Sequence, residues 1–289
     1  MFFMFKSIFF LLLVLYSMSS SANSYTVVIP WAAGGATDHI WRTIYQDLSN
    51  DLQKQGIKLV TEYRAGAGGG LGVNHVAKNS TPHLVFTSAS MVIAPHINTN
   101  LTYTSRDLIA LAYIGEFPLV LVLNPKRFSS ISEFQQVCRN KPLTIGNSGP
   151  GGMTYLATAI LTKDLGCEVT SVPYRSASLA LPDLIQQTID AIIDHPVGTT
   201  KEWSTQGAIK MFPVRSLSSI SNWHILAANT KMSEEDLVKI QRSLNKILTT
   251  GSLETRLREL GLSNVNMPIQ HTWLESQWMF YKHLMGAAN

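Results

Sequence analysis

The chain has 289 residues, enough for two ordinary domains or one large one. Hydrophobic residues make up 45%, too many for a disordered chain, and charged residues only 15%, well under the roughly 25% usual in soluble proteins. The formal net charge of +4 comes from Lys and Arg spread thinly, and no window gathers the basic cluster that tracking a phosphate backbone requires, so no nucleic-acid partner is expected.

Residues 1–24 carry one positive charge, Lys6, then an apolar run over 8–16, then Ser20, Ser21, Ala22, Asn23 and Ser24. That order is the pattern of a secretory signal peptide, and the run is short of the roughly 20 residues that span a bilayer. Residues 25–29 then read as a strand ended by Pro30, followed by a glycine turn over 33–38 and a helix over 38–53. The helix is expected because Ile40, Ile44, Leu48 and Leu52 recur every fourth residue, with Trp41 and Tyr45 beside them.

The same unit recurs along the chain. A strand at 59–62 leads into glycines at 66–70 and a helix over 71–78, and a strand at 83–87 ends in the polar turn 88–90. Further strands are expected at 119–123, 143–145, 169–172 and 191–193. Helices are expected to about 163, over 179–187, and late in the chain over 233–249, 253–260 and 269–285. Strands alternating with helices imply an α/β fold with mostly parallel sheets covered on both faces. Polar glycine turns fall at the carboxyl ends of the strands, where ligands of such sheets bind. One set of turns precedes residue 123 and another follows it, with no linker between, which suits two lobes: 25–123 with 225–289, and 124–224.

A glycine turn opening a helix presents free backbone N–H groups at the positive end of a helix dipole, and so binds anions without Lys or Arg. Nucleotide motifs fail on spacing. No Gly-Lys pair exists for a P-loop, and Gly66-x-Gly68 lacks the third glycine of the dinucleotide fingerprint. The run 146–150 is close to G-x-S-x-G but ends in Pro150, which has no N–H to build the turn. Ser148, His195 and Asp194 would make a poor triad, because adjacent strand residues point to opposite faces. The eight His include no H-x-x-x-H or H-E-x-x-H pair, so no metal is expected, and no cofactor. Cys138 and Cys167 are an even pair that can form a disulfide in an exported protein.

Taken together, 30–38 (PWAAGGATD), 62–69 (EYRAGAGG), 87–90 (TSAS), 172–175 (VPYR) and 190–196 (DAIIDHP) resemble the motifs of the Bug proteins. These are the extracytoplasmic substrate-binding proteins of tripartite tricarboxylate transporters. The resemblance keeps order and spacing from about 25 to 210. It implies a two-lobed periplasmic-binding-protein fold, the type II Venus flytrap, with a small di- or tricarboxylate or related anion clamped between the lobes. By motif position, Ala33, Gly34, Gly35, Thr37 and Asp38 would hold a carboxylate from the first lobe, with Ser88 and Ser90. Asn147, Ser148, Gly149, Gly152 and Met153 would face it from the second, and Asp194 would accept from a ligand hydroxyl or amine. Ala36, Pro150, Met153 and His195 depart from the usual residues, which suggests a smaller or more apolar ligand. Between about 212 and 223 the chain is shorter than the family pattern. The resemblance implies a periplasmic monomer that delivers its ligand to membrane transporter subunits and performs no chemistry. The alternatives are an exported hydrolase using Ser148 and a flytrap sensor that signals to a membrane partner.

Overall fold

The computed structural model describes residues 23–218, 220–270 and 272–288. Most of the expected leader, 1–22, lies outside the described residues, while Asn23 and Ser24 already belong to the first strand.

Two five-stranded sheets form the two lobes. The first contains β1 (Asn23–Ile29), β2 (Ile57–Tyr63), β3 (Leu84–Ser88), β4 (Leu108–Phe117) and β10 (Asn222–Asn229), in the order β2-β1-β3-β10-β4. The second contains β5 (Val120–Leu123), β6 (Leu143–Asn147), β7 (Val169–Pro173), β8 (Ala191–Asp194) and β9 (Lys210–Pro213), in the order β7-β6-β8-β5-β9. In each sheet the strand that has just crossed from the other lobe, β10 or β5, runs antiparallel to both neighbours. The remaining four strands of each sheet share one direction, so the expected parallel character holds and its exceptions are the crossings.

The chain passes between lobes at 118–119 and again between 214 and 221. Strand β5 pairs with Asp194, Ile193, Ile192 and Ala191, so it belongs to the second sheet, although the boundary expected at 123 assigns it to the first lobe. The pairing is non-local, and an apolar run such as Val120–Leu123 carries no mark of which sheet will take it.

Alternation places Val27 and Ile29 on one face of β1 and Val28 on the other, and all three are fully buried. Helix α1 (Ala36–Gln53) covers the first face. Its Ile40, Ile44, Leu48 and Leu52 are fully buried against Val27, Leu84 and Phe86, and each such side chain contributes about 1.5–3 kcal/mol. Helices α2 (Gly70–Lys78) and α3 (Ser90–Ile97) cover the opposite face of that sheet. In the second lobe α4 (Ile131–Cys138), α5 (Met153–Leu165), α6 (Leu181–Ile185) and α7 (Gly198–Thr205) surround the sheet. Helices α8 (Glu234–Leu248) and α9 (Gly251–Glu259) return to the first lobe.

The last helix, α10 (Trp273–Ala288), lies against the second crossing. Tyr281 Oη donates to the Ser221 carbonyl at 2.8 Å, Trp223 Nε1 donates to Gln277 Oε1 at 2.8 Å, and the Trp223 and Trp273 rings meet at 4.8 Å.

Cys138 at the end of α4 and Cys167 before β7 are joined by a disulfide across 29 residues of sequence. Closing a loop of that length restricts the unfolded chain by about 3–4 kcal/mol. Replacing both cysteines by serine should lower the melting temperature by roughly 5–10 °C while leaving the secondary structure seen by circular dichroism intact. An unchanged melting curve would show that the bridge adds nothing to stability.

Candidate functional site

The first wall of the cleft is the turn between β1 and α1. Gly35 is the N-cap of α1 and offers no side chain to its first N–H groups, so these end free beside Ala36 and Thr37, which line the cleft. Asp38 is buried, but its carboxylate is spent within its own lobe. It accepts from Gly34 N at 2.8 Å, Arg42 Nε at 2.9 Å and Tyr63 Oη at 2.6 Å. Burial first, and this bond second, hold the Tyr63 phenol above its ordinary pKa. Asp38 therefore shapes the loop that presents the helix end. From the end of β3 and the start of α3, Ser88 and Ser90 add hydroxyls.

The second wall is the loop between β6 and α5. Asn147 is fully buried and organises it, accepting from Gly149 N at 2.9 Å and donating to Ser171 Oγ at 2.8 Å. Ser148 faces the cleft with Thr154; the Thr154 hydroxyl accepts from Ser148 N at 2.8 Å and lies 2.8 Å from Ser148 Oγ. Met153 opens α5 as an apolar lining residue. At the end of β8, Asp194 lines the cleft while accepting from Thr200 Oγ1 at 2.6 Å, and burial pushes its carboxyl up from the ordinary range. His195 and Asn222 complete the hinge side.

The lobes meet over this space. A Cβ on Gly68, whose φ is +60°, would lie 2.1 Å from Gly152 N, and one on Gly35 would lie 2.6 Å from Ser176 Oγ. Only glycine admits so close an approach, and only glycine takes that φ freely. Ser90 Oγ accepts from Met153 N at 2.9 Å, a direct bond between lobes. The cavity between them measures ≈ 30 Å³, and no Lys or Arg lines it.

Of the residues expected to form the site, Thr37, Ser88, Ser90, Ser148, Met153 and Asp194 reach the cleft surface. Ala33, Gly34, Gly35, Asp38, Asn147, Gly149 and Gly152 belong to the two loops but do not line it, and Ala33 and Gly34 are exposed. The same loops bring in Trp31, Ala36 and Thr154. Ser176, Ala177 and Asn222 also line the cleft, and none carries a sequence signal, because distant segments deliver them. Among the described residues, no group of three or more His, Cys, Asp or Glu could hold a metal ion.

Behind Thr37 lies His224, fully buried on β10, with Nε2 3.1 Å from Thr37 Oγ1. Burial, aided by repulsion from His195, lowers its pKa to about 3. An imidazole neutral in the fold and free to charge when unfolded stabilises fully above the ordinary value of about 6.5, and that contribution fades as pH falls from there towards 3. Between pH 7 and pH 5 this one group should cost about 2 kcal/mol of stability. Denaturant titrations of His224→Gln at the two pH values should show a smaller acid loss than the parent; an equal loss would remove His224 as its source.

A family model described as the tripartite tricarboxylate transporter family receptor matches residues 40–222. A protein from the tcbD–tcbE intergenic region of Pseudomonas sp. (strain P51) is 33% identical over 175 residues, covering 58% of this chain and 51% of that one. The chain spans about half the length of the curated relatives it matches. Two solved structures share the fold over 92% of this chain and 97% of theirs. They are Rpa4515 of R. palustris with adipate (TM-score 0.80, 20% identity) and MatC of Rhodopseudomonas palustris with bound malate (TM-score 0.76, 22% identity). With the family model matching well over half of its length, the chain belongs to the tripartite tricarboxylate transporter receptor family.

Proposed function

We propose that this protein is a periplasmic solute-binding protein that captures a small organic carboxylate between its lobes and hands it to membrane subunits of a tripartite transporter, acting as a monomer. The observation that carries the reading is the uncapped start of α1, with its N–H groups ending beside Thr37 in a cleft walled by hydroxyls. Free N–H groups at a helix start attract a carboxylate, and each bond to a charged group contributes about 1.5–3 kcal/mol. The malate and adipate held by the two structural relatives are ligands of the same class. Among the described residues no helix is long and apolar enough to cross a membrane.

The hydrolase alternative gains no support. Ser148 Oγ is paired with Thr154, and both ring nitrogens of His195 are engaged elsewhere, so this histidine is not free to activate the serine.

A ≈ 30 Å³ cavity holds no dicarboxylate, so capture requires the lobes to part and reclose. Ligand in hundredfold excess over Kd stabilises the native state by about 2.7 kcal/mol, or roughly 5–10 °C in melting temperature. A thermal screen of C3 to C6 di- and tricarboxylates and acidic amino acids should find at least one such shift, and a flat response throughout would overturn carboxylate capture. Gly68→Ala places a methyl on the facing backbone at Gly152 and should hold the lobes apart. Its affinity for whichever acid binds the parent should fall more than about tenfold by calorimetry, with about 1 kcal/mol of strain in the free protein. Unchanged affinity would mean that closure at this contact is not needed.

A further inference from the structure

The hinge side of the cleft contains a hydrogen-bond relay whose direction can be worked out from one end. His195 Nδ1 lies 3.2 Å from the carbonyl oxygen of Pro118. A carbonyl only accepts, so the ring proton sits on Nδ1. The buried ring is neutral: burial lowers its pKa despite the opposing pull of Asp194. Nε2 is then a bare acceptor, and it lies 2.9 Å from Asn222 Nδ2, which donates to it. That fixes the carboxamide, whose two ends are otherwise interchangeable. Asn222 Oδ1 is left as an acceptor in a side chain 5% exposed, and no protein group donates to it. Asn222 itself lines the cleft.

An unmet buried acceptor is costly, so the partner it faces matters. Asp194, 4% exposed, is a second acceptor on the same cleft, and no cationic side chain stands opposite either of them. We infer that Asn222 is a specificity-determining residue, its carboxamide oriented by His195 so that Oδ1 is the end left for a ligand, and that it selects carboxylates bearing an O–H or N–H donor over those without one. His195 is a positioning residue that acts through Asn222. Sites built to meet a ligand donor discriminate strongly against an analogue that lacks it, because their own polar group is then stranded. The inference rests on the carboxylate-binding reading above.

The test uses the full protein with L-malate, D-malate, L-aspartate and D-aspartate, each set against succinate, which has the same carbon chain and no donor. Calorimetric Kd values should favour at least one donor-bearing acid by about tenfold or more, as one well-made hydrogen bond allows. Asn222→Leu should bring that ratio within about threefold, and His195→Phe should shrink it too by freeing the amide to turn. Independently of any ligand or variant, the nitrogen-15 shifts of His195 should show the proton on Nδ1. Equal affinities for all five acids, a ratio that survives Asn222→Leu, or a proton on Nε2 would each overturn the assignment while leaving carboxylate capture standing. Binding by none of the five, together with a flat wider screen, would overturn both.

Discussion

The cleft depends on two main chains approaching more closely than a methyl group allows. Gly68 of one lobe stands against the backbone of Gly152 in the other, and Ser90 accepts from the N–H of Met153 beside it. A site without Lys or Arg must attract an anion with partial charges: the free N–H groups of α1 and a set of hydroxyls. In water such dipoles are weak. Inside a closed cleft, where the effective dielectric is lower, the same groups gain several-fold in strength. Backbone contact at Gly68 lets the lobes meet closely around the cleft, so the glycines behind the surface matter as much as the hydroxyls on it.

Closure needs a fixed wall to close against, and the two crossings supply it. Glu116, next to the first crossing, accepts from Tyr113 Oη at 2.9 Å, from Ser221 of the second crossing and from Asn264. Tyr281 of α10 binds the Ser221 carbonyl, and Trp223 is pinned by Gln277. These bonds come from four separate segments and converge on a few residues. Pro118, Asn222 and His224 are presented from this braced region, so their geometry should change little if the lobes rotate about it. Groups that select a ligand are well placed there, since they meet it before closure and after.

Much of this was legible in the sequence, and the limits follow from what is local. Helix α1 announces itself because Ile40, Ile44, Leu48 and Leu52 all answer to one face. The glycine loops are visible because the constraint on their backbone is local. The lobe joined by Val120–Leu123 was not legible, because strand pairing is settled by distant partners. Nor was the direction of Asp38: a first-turn carboxylate can face a ligand or fold back on its own loop, and only the positions of Gly34, Arg42 and Tyr63 decide it. Ser176 and Asn222 carry no motif and reach the cleft by tertiary packing alone.

The acceptors on the cleft sharpen what kind of anion it suits. A buried Asp194 carboxylate opposes a second negative charge nearby unless something intervenes. Thr200 satisfies one of its oxygens, and burial raises its pKa, so the charged form is already disfavoured. An incoming dicarboxylate with no donor would repel Asp194 further and would have to bring a proton with it, which links binding to pH. A hydroxy acid answers the acceptor with its own O–H, and an amino acid with an ammonium that also cancels charge. On the proposed reading the carboxylate end would lie at the start of α1 and the donor end at Asp194 and Asn222. The same two-ended chemistry would let the chain hold an acid without a Lys or Arg in its cleft. On that reading helix dipoles would set the sign at one end, and paired acceptors would reject the wrong ligand at the other.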